Sequence, residues 1–365
     1  MFLLYVDDDI QLRLHDTYRV QAFYDLIYAN RKHIGQWMEW ADYHQSVSNT
    51  YDYIMWEREN FAKGEIISTQ IIYQGTIAGS IALTITDAIA RQGEIGYWLG
   101  EAFVGKGIAT HAGQALVNFA FNTLGLYKLV IRAIAENTAS IAVGERLGFH
   151  YEGIQVKQRL LRGAYYDYHV QYLLRDQWAG IASPEFEYRL DEKTVLRPLM
   201  AHHADHLFTC VDTHRDSLRE WVAWVDNHTS VTDSEDYIDR AMEKYGAFIG
   251  LDCGIWHNGQ FCGQVSYNDW IVKRQTGDIG YWLAPPFRGK GIMTKAVRAM
   301  LDYGFTALGL HRITLYTAVE NTRSTALAKR VGFTHEGVLR RGERIRNTFH
   351  DANVFSILSS DGDTD

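Results

Sequence analysis

The stretches "FVGKGIAT" at Phe103–Thr110 and "FRGKGIMT" at Phe287–Thr294 are two copies of one glycine-rich loop. They differ at two positions, one of which places Val104 opposite Arg288. Each copy follows a β-rich apolar run and precedes a run with helical apolar spacing. Glycines let successive N–H groups converge, and a helix start adds unpaired N–H groups with a partial positive charge. The pattern predicts a site for an anion such as a pyrophosphate, although a tight turn before a helix also fits it.

The whole chain repeats with the same offset of 184 residues. The run "IGYWL" recurs, as do the patterns N-T-x-S, G-F and E-G further along each copy. One copy is as long as a domain, so we predict two tandem domains, residues 1–182 and 183–365. The linker is expected near Pro184, where small residues interrupt the pattern.

Each copy is predicted to be a mixed α/β domain. Gly75 and Gly259 lie between apolar runs, a pattern typical of β-hairpin turns. Apolar residues recur at helical spacing after each glycine-rich loop. Gly148 and Gly332 are placed to end the later helix of each copy with a left-handed cap.

Composition excludes several classes of protein. Apolar residues make up 47% of the 365 residues, enough for a core in each domain, and no apolar run is long enough to cross a membrane. The net charge of −8 does not suit non-specific binding to nucleic acid. The three cysteines match neither a zinc motif nor a disulfide framework, so we expect free thiols, no metal and a cytoplasmic location.

The combined pattern, from "IGYWL" through F-x-G-K-G-I and N-T-x-S to G-F and E-G, resembles the GNAT superfamily of acetyl-CoA-dependent N-acetyltransferases. It is most similar to the Rim-type enzymes, which acetylate ribosomal-protein N-termini. The resemblance implies a GNAT-like acyl-CoA N-acyltransferase fold in each copy and acetyl-CoA as cofactor. It assigns cofactor binding to the loops, the preceding strand ends and an asparagine of each copy: Leu99, Val104, Gly105, Lys106, Gly107, Ile108 and Asn137, and Leu283, Arg288, Gly289, Lys290, Gly291, Ile292 and Asn321.

The first copy departs from the family pattern at the start of its loop. The pattern has Gln or Arg there, so Arg288 fits and its guanidinium would add to anion binding. Val104 does not fit. The resemblance also implies that backbone groups of Leu99 and Leu283 pair with the pantetheine arm of the cofactor.

Ser140 and Ser324 are the candidate groups that stabilise the leaving thiolate. In the resembling enzymes, the hydroxyl at this position can reach the thioester sulfur, and a hydroxyl donates without carrying charge. Asn137 and Asn321 precede these serines by three residues. Helix capping is the alternative role of both residue types.

The candidate general base differs between the copies. The Rim-type pattern has a glutamate seven residues after the Glu of the E-G pair, which is Glu343 in the second copy and Arg159 in the first. An arginine cannot accept a proton. In the first copy, Glu94 is the substitute candidate, acting through water, and Asp278 is its counterpart. Glu343 has an alternative role in an ion pair with a neighbouring arginine.

The sequence therefore predicts an N-acetyltransferase that moves an acetyl group to a primary amine by direct transfer in a ternary complex. The acceptor is expected to be a protein or peptide N-terminus or a small amine. Alternatives are a polyamine, antibiotic or toxin acetyltransferase, and a CoA-binding regulatory module without turnover. We expect the second domain to be active and the first to be altered or inactive. The duplication predicts an internal pseudo-dimer, with a homodimer as a further option.

The tryptophan pairs Trp37/Trp40 and Trp221/Trp224 lie in the segment that covers the acceptor pocket in the resembling enzymes. Large aromatic residues at this spacing are more often core anchors than ligand contacts. Both roles are open from the sequence.

Overall fold

The computed structural model describes residues 1–362 and divides into two compact units. The first is Met1–Phe186 and the second begins at Glu187, whereas the sequence predicts the division after Ala182. Each unit is a mixed α/β domain, so the predicted fold class is confirmed.

The first unit contains eight strands and four α-helices. In chain order they are β1 (Leu3–Tyr5), β2 (Ile10–Leu14), α1 (Val20–Ile34), α2 (Val47–Ala62), β3 (Ile66–Tyr73), β4 (Thr76–Asp87), β5 (Gln92–Leu99), α3 (Ile108–Asn118), β6 (Lys128–Ile134), α4 (Thr138–Arg146), β7 (His150–Leu161) and β8 (Ala164–Leu174).

The second unit repeats this plan, with a short additional helix. Its elements are β9 (Tyr188–Arg189), β10 (Thr194–Pro198), α5 (Ala204–Thr213), α6 (Arg215–Leu218), α7 (Val231–Gly246), β11 (Leu251–His257), β12 (Gln260–Ile271), β13 (Thr276–Leu283), α8 (Ile292–Asp302), β14 (Arg312–Ala318), α9 (Thr322–Val331), β15 (Thr334–Ile345) and β16 (Thr348–Leu358).

Each unit builds one eight-stranded sheet with the same strand order. The first sheet runs β1-β2-β3-β4-β5-β6-β8-β7, and the second runs β9-β10-β11-β12-β13-β14-β16-β15. One neighbouring pair in each sheet is parallel, β5 with β6 and β13 with β14, and it pairs over only three residues. The last paired residues of β5 and β13 are Glu94 and Asp278. Beyond them the two strands separate, so each sheet has a split.

The predicted hairpin turns are confirmed. Gln74 and Gly75 have φ of 49° and 79°, and Asn258 and Gly259 have 50° and 76°. Two successive left-handed residues match the twist of the flanking strands. Gly148 and Gly332, with φ of 81° and 108°, follow the ends of α4 and α9 as expected.

Apolar periodicity explains where the helices after the loops pack. Ile108, Ala112 and Leu116 of α3 are buried, and so are Ile292, Ala296 and Met300 of α8, as the spacing predicts. On the β2 strand, buried and partly exposed residues alternate. Among the described residues, no helix combines the length and apolar character needed to span a bilayer.

Candidate active sites

The glycine-rich loops have the same backbone in both units. Gly105 and Gly107 have φ of 80° and 77°, and Gly289 and Gly291 both have 75°. A Cβ at any of the four would meet open space, so the left-handed backbone, rather than lack of room, requires glycine. Gly107 and Gly291 are also the N-caps of α3 and α8. The first N–H groups of these helices have no intrahelical partner and can bind an anion.

Each loop forms a wall of a cleft, of about 600 Å³ in the first unit and about 990 Å³ in the second. Most of the cofactor-binding residues predicted from the sequence, and both candidate serines, line these clefts. The predicted residues that line the clefts are Leu99, Val104, Gly105, Gly107, Ile108, Asn137 and Ser140, and Leu283, Arg288, Gly289, Gly291, Ile292, Asn321 and Ser324.

The loop lysines are placed differently. The Lys106 ammonium lies 5.8 Å from the ring centre of Tyr73, and the Lys290 ammonium lies 5.5 Å from that of Phe287. Within residues 1–362, neither lysine lines its cleft. Both side chains contact an aromatic face instead.

Arg288 has structural partners that Val104 lacks. Its Nε donates to the Leu283 carbonyl at 2.9 Å, and its Nη1 donates to Ser217 Oγ at 3.1 Å. Burial lowers the pKa of Arg288, and the positive charge of Arg323 acts in the same direction. Arg288 thus ties the loop to the end of β13 through the backbone of Leu283, a residue that the resemblance places beside the pantetheine arm. Val104 is 48% exposed.

The two asparagines cap the helices that follow them. Asn137 Oδ1 accepts from the Ser140 N–H at 3.2 Å, and Asn321 Oδ1 accepts from the Ser324 N–H at 3.1 Å. These residues also line the clefts. Capping and a position beside the cofactor cleft are therefore compatible.

Each candidate serine is hydrogen-bonded to a tyrosine that sequence reasoning missed. Ser140 Oγ donates to the Tyr97 hydroxyl at 3.1 Å, and Tyr97 donates to the Ser140 carbonyl at 2.9 Å. The Tyr281 hydroxyl and Ser324 Oγ are 2.9 Å apart. Burial raises the pKa of both tyrosines to about 12, so they remain protonated donors. Their presence in the repeated "IGYWL" run was the available signal.

Asp278 has an unsatisfied carboxylate oxygen at the split of the second sheet. Asn268 Nδ2 donates to Asp278 Oδ2 at 2.9 Å. Asp278 Oδ1 is buried and has no hydrogen-bond partner among residues 1–362. Burial raises the pKa of Asp278 to about 6, and the negative charges of Asp269 and Glu343 act in the same direction.

Glu343, on β15, lies close enough to Asp278, on β13, for their charges to interact. It is half-buried, and burial raises the pKa of its carboxyl, whereas the charge of His350 on the opposite strand lowers it. The ion pair with a neighbouring arginine that the sequence left open is not found among the described residues. The Arg341 N–H donates to Asp351, and the Arg344 guanidinium lies over the Phe349 ring.

The split of the first unit has the opposite charge. Arg132 Nη1 contacts Glu94 Oε2 at 2.5 Å. Burial raises the pKa of Glu94, and the opposing charge of Arg132 only reduces this rise. The residue in place of Glu343 is Arg159, and the residue in place of Arg132 in the second unit is Tyr316. Glu94 is thus held in an ion pair, a poorer setting for a general base than that of Asp278.

Alternation along β5 and β13 separates two groups of residues. Successive side chains of a strand point to opposite faces of the sheet. Asp278 therefore shares a face with Trp282, and Tyr281 lies on the other face with its serine partner. Glu94 and Asp278 therefore lie on one face of their sheets, and the tyrosine–serine pairs lie on the other.

The two members of each tryptophan pair have different roles. Trp37 and Trp221 line the clefts. Trp40 stacks on Tyr53, and Trp224 stacks on Tyr237, with interplanar angles of 2° and 27°. Trp40 also packs against a buried cluster that includes Phe23 and Ile54. One tryptophan of each pair is thus a packing anchor and the other a cleft residue.

Comparison with known proteins finds relatives that correspond to one unit. YjcK of Bacillus subtilis (strain 168), described as a probable N-acetyltransferase, is 40% identical over 47% of this chain and 98% of its own length. The ribosomal-protein-serine acetyltransferase of Escherichia coli (strain K12) is 27% identical over 47% of this chain and 95% of its own. The solved structure of the microcin C7 self-immunity acetyltransferase MccE with acetyl-CoA and AMP is 28% identical, with a TM-score of 0.45, and covers 46% of this chain and 94% of that one.

The family model described as "Acetyltransferase (GNAT) domain" matches the chain twice, at residues 10–150 and 193–334. Each match contains one glycine-rich loop, one split and one tyrosine–serine pair. The chain therefore belongs to the GNAT acetyltransferases, enzymes whose acetyl donor is acetyl-CoA, and carries two domains of this family in tandem.

Proposed function

We propose that this protein transfers the acetyl group of acetyl-CoA directly to a primary amine in a ternary complex, and that the second unit is the active centre. The observation that carries the proposal is the combination of an anion-binding loop with two unneutralised carboxylates, Asp278 and Glu343, at one split. The first unit has the loop but only an ion-paired carboxylate, Glu94.

The loop residues Gly289–Ile292 would hold the pyrophosphate of CoA through main-chain N–H groups. Arg288 keeps the loop at the end of β13 through its bond to Leu283. Asn321 lines the same cleft and caps α9. When bound, acetyl-CoA supplies the thioester that the amine attacks.

Asp278 and Glu343 would receive the acceptor. Two carboxylates attract an ammonium group, and one of them must then take its proton, because only the free amine is a nucleophile. The unsatisfied Oδ1 atom and the raised pKa of Asp278 suit a base that works near neutral pH. The amine nitrogen then bonds to the acetyl carbon as the carbon–sulfur bond breaks.

The tyrosine–serine pair would stabilise the leaving thiolate. Tyr281 and Ser324 line the same cleft as the loop, and their hydroxyls are 2.9 Å apart. A hydrogen-bonded hydroxyl pair can donate to the sulfur and be reprotonated from water. Transfer is complete when the thiolate has gained a proton and the amide has formed.

The acceptor class that we favour is a protein or peptide N-terminus. The similarity to the ribosomal-protein-serine acetyltransferase of Escherichia coli supports it. A small cationic amine such as a polyamine is the second candidate, because two neighbouring carboxylates favour a strongly cationic acceptor.

A thiol-release assay with the full chain and acetyl-CoA tests the proposal. The acceptor panel contains N-terminal peptides, polyamines and single amines, and the matched control is the Asp278→Asn/Glu343→Gln double variant. We expect release with at least one amine and a loss of about a hundredfold or more in the control. No release with any acceptor, while acetyl-CoA still binds, would favour a CoA-binding module without turnover.

A further inference from the structure

The first unit has a cavity of its own beside the split, distinct from the cleft at the glycine-rich loop. Arg132 of β6 and Arg159 of β7 both line it. It lies where β7 bulges between Gln155 and Arg159, so the two strands no longer pair residue by residue. The function proposed for the second unit does not use this cavity.

The charges around this cavity do not balance. Arg132 pairs with Glu94 at 2.5 Å, while Arg159 forms no ion pair with any of the described residues. Two guanidinium groups, which stay protonated, thus line one cavity, and only that of Arg132 is paired with a carboxylate. Arg159 is also partly buried, so its charge is less well hydrated than that of a surface arginine.

The other polar residues of the cavity are specific to the first unit. Gln155, Gln158 and Tyr168 line it and offer amide and hydroxyl donors. The residues at these positions of the second unit are Leu339, Gly342 and Ala352. Together with Arg132 and Arg159, whose counterparts are Tyr316 and Glu343, this is a change of the whole lining and not of one residue.

We propose that the cavity of the first unit binds a carboxylate group, either of an acidic peptide or of a small carboxylic acid. A carboxylate at Arg159 balances the second guanidinium in the way that Glu94 balances the first. Guanidinium groups bind carboxylates through paired N–H···O bonds, and the glutamines and Tyr168 add neutral donors. The first unit is then a recognition site for an acidic group, whether or not it transfers acetyl groups.

Fluorescence anisotropy tests this with the full chain in the absence of acetyl-CoA, so the outcome does not depend on turnover. The probe is a labelled N-acetyl-triglutamate peptide. Arg159→Glu installs the residue of the second unit, and we expect it to weaken binding at least about tenfold, because it replaces attraction with repulsion. Arg159→Lys keeps the charge but loses the paired geometry, so an intermediate loss is expected.

Lys63→Glu is the control, because it makes the same charge change at an exposed residue that does not line the cavity. We expect it to change the affinity less than twofold. Equal weakening by Lys63→Glu and Arg159→Glu in folded protein would overturn the proposal, since the attraction would then be non-specific. Displacement of the peptide by inorganic phosphate at lower concentrations than by glutarate would also overturn it, in favour of a phosphate ligand.

Discussion

The two splits have the same backbone and opposite charge. Both lie between a pair of parallel strands that separate after three paired residues, with Glu94 or Asp278 in the last of these pairs. In the first unit that carboxylate is neutralised by Arg132, which lines a cavity together with Arg159, while in the second unit the carboxylate of Asp278 lies close to that of Glu343. The scaffold thus fixes where a reaction can occur, and a few side chains decide which ligand charge is accepted.

The loops show a smaller difference of the same kind. Their glycines have nearly identical left-handed φ values, so the backbone of the anion site does not depend on the residue before it. Arg288 nevertheless joins the loop to Leu283 and Ser217, and Val104 cannot. Val104 and Arg159, the two residues that depart from the family pattern, both belong to the first unit.

The largest effect is expected when the second split is given the charge of the first. Glu343→Arg should lower kcat/KM by about a thousandfold, because an arginine there repels an ammonium group and lowers the pKa of Asp278, the proposed base. The exposed Glu235→Arg is the matched control with the same charge change. Steady-state kinetics with an acceptor from the panel measures both, and a loss below tenfold for Glu343→Arg would contradict the assignment.

The next effect is on stability. The folded-state pKa of Asp278 is raised to about 6, so its ionised form destabilises the fold at neutral pH. Asp278→Asn should therefore raise the free energy of unfolding by about 2 kcal/mol at pH 7, and the gain should fade as the pH falls from 6 to 4. Denaturant unfolding at several pH values measures this.

Glu94→Gln provides the comparison for the stability prediction. Burial raises the pKa of Glu94, but Arg132 opposes this rise, and the substitution leaves that guanidinium without its carboxylate, so any gain in stability should be well below that of Asp278→Asn. A gain as large as that of Asp278→Asn would mean that the two carboxylates have similar surroundings in the two units.

A smaller effect is expected on the pH profile. If Asp278 accepts the proton, kcat/KM should rise with pH through a midpoint near 6, as the carboxyl ionises. Glu343→Gln removes a like charge, so the midpoint should move to lower pH, by up to about one unit. A midpoint that stays in place or moves upward would show that the two carboxylates do not interact.

The smallest effect concerns the loop. Arg288→Val gives the second unit the residue of the first and removes two hydrogen bonds, so the Kd for acetyl-CoA should rise about fivefold. Calorimetric titration of the full chain measures it, with Val104→Arg as the reverse change. An unaltered Kd for Arg288→Val would mean that main-chain groups alone set the affinity.

Much of the fold followed from local patterns. The duplication, the hairpin turns at Gly75 and Gly259 and the helices after the loops are all encoded by residues close in sequence, and all are confirmed. The cofactor role predicted for the glycine-rich loops rested on the family resemblance, because the strand–loop–helix order alone also fits a tight turn before a helix.

The partners of the site residues could not be predicted in the same way. Glu94 and Arg132 are 38 residues apart and meet because of the parallel register of β5 and β6. Tyr97 and Ser140 are 43 residues apart and meet because of the packing of α4 on the sheet. Single-sequence patterns carry no information on such pairings, so the neutralised Glu94 and the tyrosine–serine pairs emerged only from the structure.

The proposal that the second split is the active centre can be tested by comparing one substitution in each unit. We would measure kcat/KM of the full chain for Glu343→Gln and for Arg159→Gln with the same acceptor. We expect a loss of about a hundredfold for Glu343→Gln and of no more than about threefold for Arg159→Gln. Equal losses in the two variants, or a larger loss for Arg159→Gln, would contradict it.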